Sequence, residues 1–591
     1  MNNLSSTVRW LILLGLLLFW TAAPVRAAGV VGNGTPASCT EAALRAAVAD
    51  GGRVTFNCGP QPVTITLSSQ LELRQDTEID GGGPQQGGRV TLSGGGRTRI
   101  IWLYDVTLTI RNLTLIDGRS VEGGAIRASG LNARVFIYNS IFRNNDSTAG
   151  ADEEGGGAIS MHFGQLHIED SLFEGNRGIN GGAIYNLRCP ITVVRSTFRN
   201  NDSSHGGVVA NFGFGGAIYN DGASPAGVGG QIMIRDSIFI GNKARNFGGA
   251  VYSYLYHPDS STIERSYFAD NMVYLNSNNR ASGGALMHHN GPLTLRDSSF
   301  VNNRSEDAGG AILIAQTTFH AGWNRSMLTN LSVVGNRADA PNADQGNGGG
   351  LYFNGGQATL VNVTVAHNYA DRLGGGIYNT SSNSADVELR NVIIAGNQLG
   401  SSHDSVQCFG SLRGSRNLQS PVGRACTSGI TQADPRLEMA VAYHGGPMPT
   451  IALLAGSPAI NAGADCPPLD QRGAARVGAC DIGAFEYGGA APASQLDPPT
   501  LVSLTSGNGG PVVELLFEPV PGVVRYDAEA RRDDGMVWVL PLANNRLLLD
   551  RGRYTIRLRA CNEIVCSAFG NSLSVEVTQA PLKSFVPIVG R

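Results

Sequence analysis

Apolar positions in this chain fall in short alternating runs that end at Gly, Asn or Asp. No stretch of useful length carries a 3.6-residue period, so the alternation predicts strands joined by tight corners rather than helices. VTITL at 63–67 and VTLTIRNLTLIDG at 106–118 show the pattern early.

Beyond residue 120 the pattern becomes a repeat. One motif is Gly-Gly-small-aliphatic: GGAI at 123 and 156, GGAIYN at 181 and 215, GGAVY at 248, GGAL at 283, GGAI at 309, GGLYFN at 349 and GGIYN at 375. The second, S-x-F-x-x-N, ends at Asn145, Asn176, Asn201, Asn242, Asn271 and Asn303, and continues with an aliphatic residue for Phe at Asn336, Asn368 and Asn397. The two alternate over residues 123–397, about thirty residues per cycle. That period, with two short strands and Gly/Asn corners, predicts one coil of a parallel β-helix, an all-β single-chain solenoid. Nine coils at ~4.8 Å give a rod of about 43 Å before its caps.

Alternation places the Ser and Phe of the second motif on one face. The column Phe142, Phe173, Phe198, Phe239, Phe268, Phe300 is expected to stack inside the rod and to hand over to Val333, Val365 and Ile394. The nine motif asparagines are expected to form a corner ladder, each amide bonding its copies above and below. Outward positions hold charges whose sign alternates from coil to coil: Asp170, Arg195, Asp236, Arg265, Asp297; Arg143, Glu174, Arg199; and Asp146, Arg177, Asp202, Lys243. These predict cross-coil ion-pair columns that oppose register slips.

Loop length alternates as well. The segments 146–157, 202–216, 272–284 and 337–349 are long, with short ones between, so four loops should project from one corner roughly ~9.6 Å apart. They carry Asp152, Glu153, Glu154; His205, Phe212, Phe214; Tyr274, Asn276, Asn278; and Asp339, Asn342, Asp344, the candidate ligand-binding residues.

Composition narrows the classes. Of 591 residues 79 are Gly and 44 Asn, while Lys occurs only at 243 and 583. With no strict three-residue period, collagen is excluded, and the net charge of −3 gives no electrostatic case for nucleic acid. Residues 1–27 read as a secretory signal: Arg9, an apolar stretch Trp10–Ala23, and Val25-Arg26-Ala27 before the cut. No later segment is apolar enough to span a membrane. Export favours disulfides, and the cysteines fall in near-neighbour pairs, Cys39/Cys58, Cys408/Cys426, Cys466/Cys480 and Cys561/Cys566, leaving Cys189 as a buried thiol. No zinc-type spacing occurs, and neither metal nor cofactor is expected.

GGA-aliphatic paired with FxxN resembles the repeat of the polymorphic outer membrane proteins, right-handed β-helix proteins of the pectate-lyase-like superfamily, over residues 39–487. The resemblance implies a surface adhesin. CTEAALRAAVADGGRVTFNC at 39–58 resembles the helical opening of such proteins, with Thr40 able to N-cap a helix over Glu41–Asp50. ADPRL, HGGPMPTIALLAGSPAINAG and DQRGAARVGACDIGAFEY resemble the closing segment of choice-of-anchor β-helix proteins. There Asp470, Arg472, Asp481 and Glu486 are expected to belong to a disulfide-braced cap rather than a catalytic cluster. The expected order is therefore signal 1–27, cap and irregular coils 28–100, repeats 101–400, last coils and cap 401–487, linker 488–499, and a β-sandwich over 500–579. The tail, 580–591, is too short for a membrane barrel. LLFEPVPGVVRYDAEA and GRYTIRLRACNEIVCS resemble a fibronectin type III domain, with Phe517 where that family usually has Trp.

Three functions compete. A polysaccharide lyase needs a carboxylate cluster for calcium and a base; a glycosidase needs two carboxylates roughly 5–9.5 Å apart. Here the carboxylates alternate with arginine, no three acids share a column, and His288 and His289 lie in a repeat strand with no evident carboxylate partner. A monomeric, non-enzymatic surface protein that contacts an extracellular polysaccharide or cell-surface component is the preferred expectation. A purely structural envelope protein is the third class.

Overall fold

The computed structural model describes residues 29–579 apart from 83–89, 152–153, 206–211, 226, 318–319, 321, 342–344, 381–385, 401–405, 492–498, 518–524, 535–536, 543–545, 562–566 and 568. The signal expected over 1–27, the tail 580–591 and most of the linker expected over 488–499 lie outside those residues.

Each coil contributes a strand to each of three long sheets, and a short fourth strand at the corner, such as Lys243–Arg245 or Met272–Tyr274, builds a further six-stranded sheet. In the first repeat cycle the three long-sheet strands are Ile126–Ser129, Arg134–Tyr138 and Ile141–Arg143; in the next, Ile159–His162, Gln165–Glu169 and Leu172–Glu174. Every strand pairs in parallel with its counterpart one coil away. Three long sheets result: a first of twelve strands, entered from the Gly-Gly corner, and a second and third of fourteen each. Thirteen intervals of ~4.8 Å make the rod about 62 Å long. It is a right-handed parallel β-helix, the hand that parallel crossovers take. The Gly-Gly corner leaves no room for a side chain. Gly156 has φ +71°, and a Cβ there would lie 2.0 Å from the Ile159 carbonyl oxygen.

The interior is built of columns. Phe142, Phe173, Phe198, Phe239, Phe268 and Phe300 are fully buried, with ring centroids 4.7–4.8 Å apart and planes within 6° of parallel. Val333, Val365 and Ile394 continue the column. Beside it runs a serine column: the backbone N–H of Ser140 donates to Ser171 Oγ at 3.1 Å, and Ser171, Ser196, Ser237 and Ser266 repeat the bond to the next coil.

The asparagine ladder is continuous. From Asn145 to Asn368, each Nδ2 donates to the Oδ1 of the next asparagine at 2.9–3.0 Å. Each Nδ2 also donates to a carbonyl of the preceding coil, as Asn242 does to Phe198 O at 3.0 Å. Oδ1 accepts a second bond, from the backbone N–H of the previous ladder residue. After Asn397 the acceptor becomes Gln407 Oε1, which ends the ladder on a different residue type.

Two of the three charge columns form as expected. Arg195 Nε lies 2.8 Å from Asp170, Arg265 Nε 2.7 Å from Asp236, and Arg143 Nε 2.8 Å from the buried Glu174, which Arg199 also pairs. In the third, Asp146 and Asp202 turn to their own loops instead, accepting from Thr148 and Ser204. A hydroxyl and an N–H two residues on close a tighter ring than a side chain one coil away.

Both ends are closed. Thr40 Oγ1 accepts from Ala43 N at 3.2 Å and caps the helix Glu41–Val48, which packs Leu44 and Val48 into the first coils. Cys39–Cys58, Cys408–Cys426 and Cys466–Cys480 are bonded, and Cys561 is disulfide-bonded; its expected partner Cys566 lies outside the described residues. Cys189 is a buried free thiol that burial pushes up to about 12.

The segment after residue 433, expected to block the end of the rod, lies along its side. Gln471 bonds Ser298 O, Ser299 Oγ and Ser332 Oγ. Asn330 donates to Leu469 O, Asn362 to Asp481 O, and Asn391 to Ala464 O. The segment is thus a strap over the third sheet, tied to four successive coils. Hydroxylic and small outward residues there (Ser299, Ser332, Thr364, Ala366) let a backbone lie close, and Val334 and Ile393 pack against Ile451, Leu453 and Ile482 of the strap. Asp470, Arg472, Asp481 and Glu486 are buried within the strap, with Arg476 half-buried beside them. Asp470 holds Arg472 at 2.7 Å, and Arg476 Nη1 lies 3.0 Å from Glu486. The rod's end is instead closed by the Cys408–Cys426 loop, with Ile430 packed on the core.

Beyond the strap, three antiparallel strands (Leu501–Ser506, Val512–Phe517, Arg546–Leu548) and four more (Val537–Pro541, Arg525–Arg532, Gly552–Cys561, Ser572–Val577) enclose a second core. They form a β-sandwich.

Asn242→Ala would orphan the Asn201 amide, the Phe198 carbonyl and one acceptor on Asn271. A loss of about 3 kcal/mol in denaturant-measured stability is expected, and a loss near zero would contradict the ladder's role.

Inside the first sheet Asn186, Asn220, Ser253 and His288 stack in register, and burial pushes the His288 imidazole down to about 4. The unfolded chain therefore binds the extra proton below pH ~6.5 and the native chain does not, so stability present above that pH falls as pH drops toward 4. His288 alone should contribute on the order of 3 kcal/mol of that fall. Tm measured between pH 7 and 4 should vary less in His288→Leu than in the parent; an identical slope would refute the assignment.

Candidate functional site

In each first-sheet strand the aliphatic residue of the Gly-Gly motif points into the core, so the residue after it faces out. Register aligns these outward residues as Trp102, Arg127, Ser160, Tyr185, Tyr219, Tyr252, Met287, Leu313, Tyr352, Tyr378 and Phe409. Seven of the eleven are aromatic and form a belt, in which Trp102, Tyr219, Tyr352, Tyr378 and Phe409 are half-buried while Tyr185 and Tyr252, like Met287 and Leu313, are buried among their neighbours. Ring centroids lie 5.2 Å apart for Tyr185–Tyr219, 5.6 Å for Tyr219–Tyr252, 4.6 Å for Tyr352–Tyr378 and 5.2 Å for Tyr378–Phe409. Ten inter-strand steps from Trp102 to Phe409 make the strip about 48 Å long.

A second outward column runs beside the first: Tyr104, Ser129, His162, Leu187, Asp221, Tyr254 and His289. His289 Nδ1 lies 3.2 Å from Tyr252 Oη and its Nε2 2.7 Å from Thr317 Oγ1, with Tyr254 edge-on at 4.6 Å. Burial pushes His289 down to about 4. His162 falls to about 4 by burial and by the nearby Arg127, which pairs with Glu122. These imidazoles are neutral hydrogen-bonding groups at pH 7, not bases poised near neutrality. Burial likewise raises the phenols of Tyr219 and Tyr252.

The long loops border this face, and their candidate residues have different surroundings. His205 is largely exposed, with Nδ1 3.0 Å from Asp202 and 2.7 Å from Ser204 Oγ. Phe214 packs back onto the belt against Tyr219, Phe247 and Tyr252, and Phe212 lies edge-on to it. Tyr274 pairs with Arg245 in a short ribbon along the corner. Asn276 is buried and accepts from the backbone of Asn278 and Arg280, bracing its own loop, while Asn278 is exposed. Glu154 accepts from Ala151 N. Asp339 lies 2.5 Å from Arg304 and 3.2 Å from Arg337. Asp152, Glu153, Asn342 and Asp344 lie outside the described residues. Among the described residues no cluster of three or more His, Cys, Asp or Glu could hold a metal ion, and no helix is long and apolar enough to cross a membrane.

The belt was present in the motifs. Tyr follows the aliphatic position in GGAIYN, GGAVY and GGIYN, and alternation requires it to point outward. Reading those motifs only for their glycines leaves it unseen.

Residues 170–187 and 236–254 match the Chlamydia polymorphic membrane protein repeat. The probable autotransporter YfaL of Escherichia coli strain K12 is 28% identical over 185 residues, 30% of this chain and 12% of that relative, so the chain spans only a small part of its length. Among solved structures, the A-module of the Azotobacter vinelandii mannuronan C-5 epimerase AlgE6 is 13% identical, covering 67% of this chain and 98% of that one. Its TM-score of 0.21 carries no argument.

Proposed function

Taking the chain as a polymorphic-membrane-protein-like β-helix protein, we propose that it is exported to the cell surface and binds an extracellular glycan, without chemistry, through the outer face of its first sheet and the loops beside it. The observation that carries this reading is the belt: the half-buried rings of Trp102, Tyr219, Tyr352, Tyr378 and Phe409 are spread over about 48 Å of a rigid scaffold, matched in scale to an extended polymer. Sugar rings offer flat C–H faces to aromatic side chains and hydroxyl edges to the asparagines and carboxylates of the loops. The cross-coil ion pairs support binding over catalysis. Asp170, Glu174 and Asp236 are each held by arginine, and against the pull of burial Arg199 and Arg143 keep the buried Glu174 carboxyl below its ordinary range. The C-terminal sandwich, with three strands facing four, fits a fibronectin type III-like spacer.

The test is the purified chain on immobilised pectin, alginate and glycosaminoglycans. Retention of at least one polymer is expected. Cutting the loops 146–157, 202–216, 272–284 and 337–349 to the length of their short neighbours should abolish it with Tm unchanged. Unsaturated or reducing ends appearing in solution would replace this reading with an enzymatic one, and retention of none would leave a structural protein.

A further inference from the structure

At the N-terminal end of the same face the outward residues border a shallow, open cleft of about 430 Å³, lined by Gln70, Glu72, Leu73, Arg74, Trp102 and Tyr104. The volume falls within the ~300–1,000 Å³ of small-ligand sites. Its rings come from one strand. Trp102 and Tyr104 stand two residues apart in Ile101–Tyr104 and so project side by side, with Tyr104 59% exposed. Both sit on a strand held on both edges, by Leu71–Leu73 on one side and Ile126–Ser129 on the other.

The polar wall is pre-set. Arg99 Nη1 donates to Gln70 Oε1 at 2.8 Å, Gln70 Nε2 to Glu72 Oε1 at 3.5 Å, and Arg74 Nη2 lies 3.3 Å from Glu72 Oε2. Amide, carboxylate and guanidinium thus form a row beside the two rings, with Glu72 directly across the sheet from Trp102. Such a row offers alternating donors and acceptors, the pattern that vicinal hydroxyls satisfy.

We infer that this cleft is a binding subsite for a neutral saccharide, with Trp102 and Tyr104 stacking on the ring faces and Gln70, Glu72 and Arg74 bonding its hydroxyls. The inference rests on the reading of the outer face as glycan-binding and adds the sugar class. Charge selects that class: the two lining charges, Glu72 and Arg74, cancel by pairing, so a uronate or sulfated sugar would find no unpaired cation among the lining residues. A peptide added as a strand is excluded at this point, because the strand carrying both rings is already paired on both edges.

The test is calorimetric titration of the full chain with cellotetraose, chitotetraose and tetragalacturonate. Binding of a neutral tetrasaccharide, with tetragalacturonate at least tenfold weaker, is expected. Trp102→Ala and Tyr104→Ala should each weaken the neutral ligand roughly tenfold or more. Tyr104 is exposed, so its variant tests the site even if Trp102→Ala unfolds the coil. A preference for tetragalacturonate overturns the sugar class. Unchanged affinity in both variants overturns the cleft, and if Tyr352→Ala with Tyr378→Ala then removes binding, the glycan reading of the face survives without it. Absence of heat with all three sugars overturns the cleft, while polymer retention measured separately decides the wider reading.

Discussion

The structure depends on keeping every coil in register with its neighbours, and the buried asparagine amide is the group that enforces it. A side chain taken wholly out of water must find partners for two N–H groups and a carbonyl, or the fold loses about 1–3 kcal/mol for each one left bare. Here all of them are satisfied by the coil above or below. A slip of one residue would break a bond at every rung and turn each buried phenylalanine toward water. The phenylalanine stack supplies apolar burial, but burial alone is indifferent to register. The ladder is what makes one register the lowest in free energy.

That constraint also creates the aromatic outer face of the first sheet. Once the aliphatic of each Gly-Gly motif is fixed inward, its neighbour is fixed outward, and the same column of every coil becomes one surface. Tyrosines thirty or so residues apart in sequence stand at ring-contact distance. Adjacent loops share the corner at which the coil closes, so the chain needs no further device to bring loops and belt together. The third sheet shows the opposite use of an outer face: small residues there accept the strap, and that side is occupied by the chain itself.

The repeat was legible because it obeys two local rules, alternation and period, and both act through neighbours a coil away. The phenylalanine column and the nine-rung ladder follow from them, while the helix capped by Thr40 was legible from its N-cap and the three described cysteine pairs from export and their near-neighbour spacing. What escaped is what those rules do not govern. Gln407 ends the ladder outside the S-x-F-x-x-N motif, ten residues after Asn397. The strap's course was hidden because its bonds join residues some 140 to 170 positions apart, such as Gln471 with Ser298 and Ser332, and no local pattern records them. At the site, loop lengths gave the position of His205 and Phe214 but not their roles. Whether a phenyl ring faces solvent or folds back on the belt is decided by the tyrosines beneath it.

The strap has a mechanical consequence. It lies between the rod and the C-terminal sandwich, and its bonds are spread over four successive coils rather than gathered at the last one. A pull on the sandwich would therefore load those bonds together, in shear, instead of peeling coils away one at a time from the open end. A rod pulled from that end would keep the outer face of its first sheet intact under tension that would unwind an unstrapped solenoid.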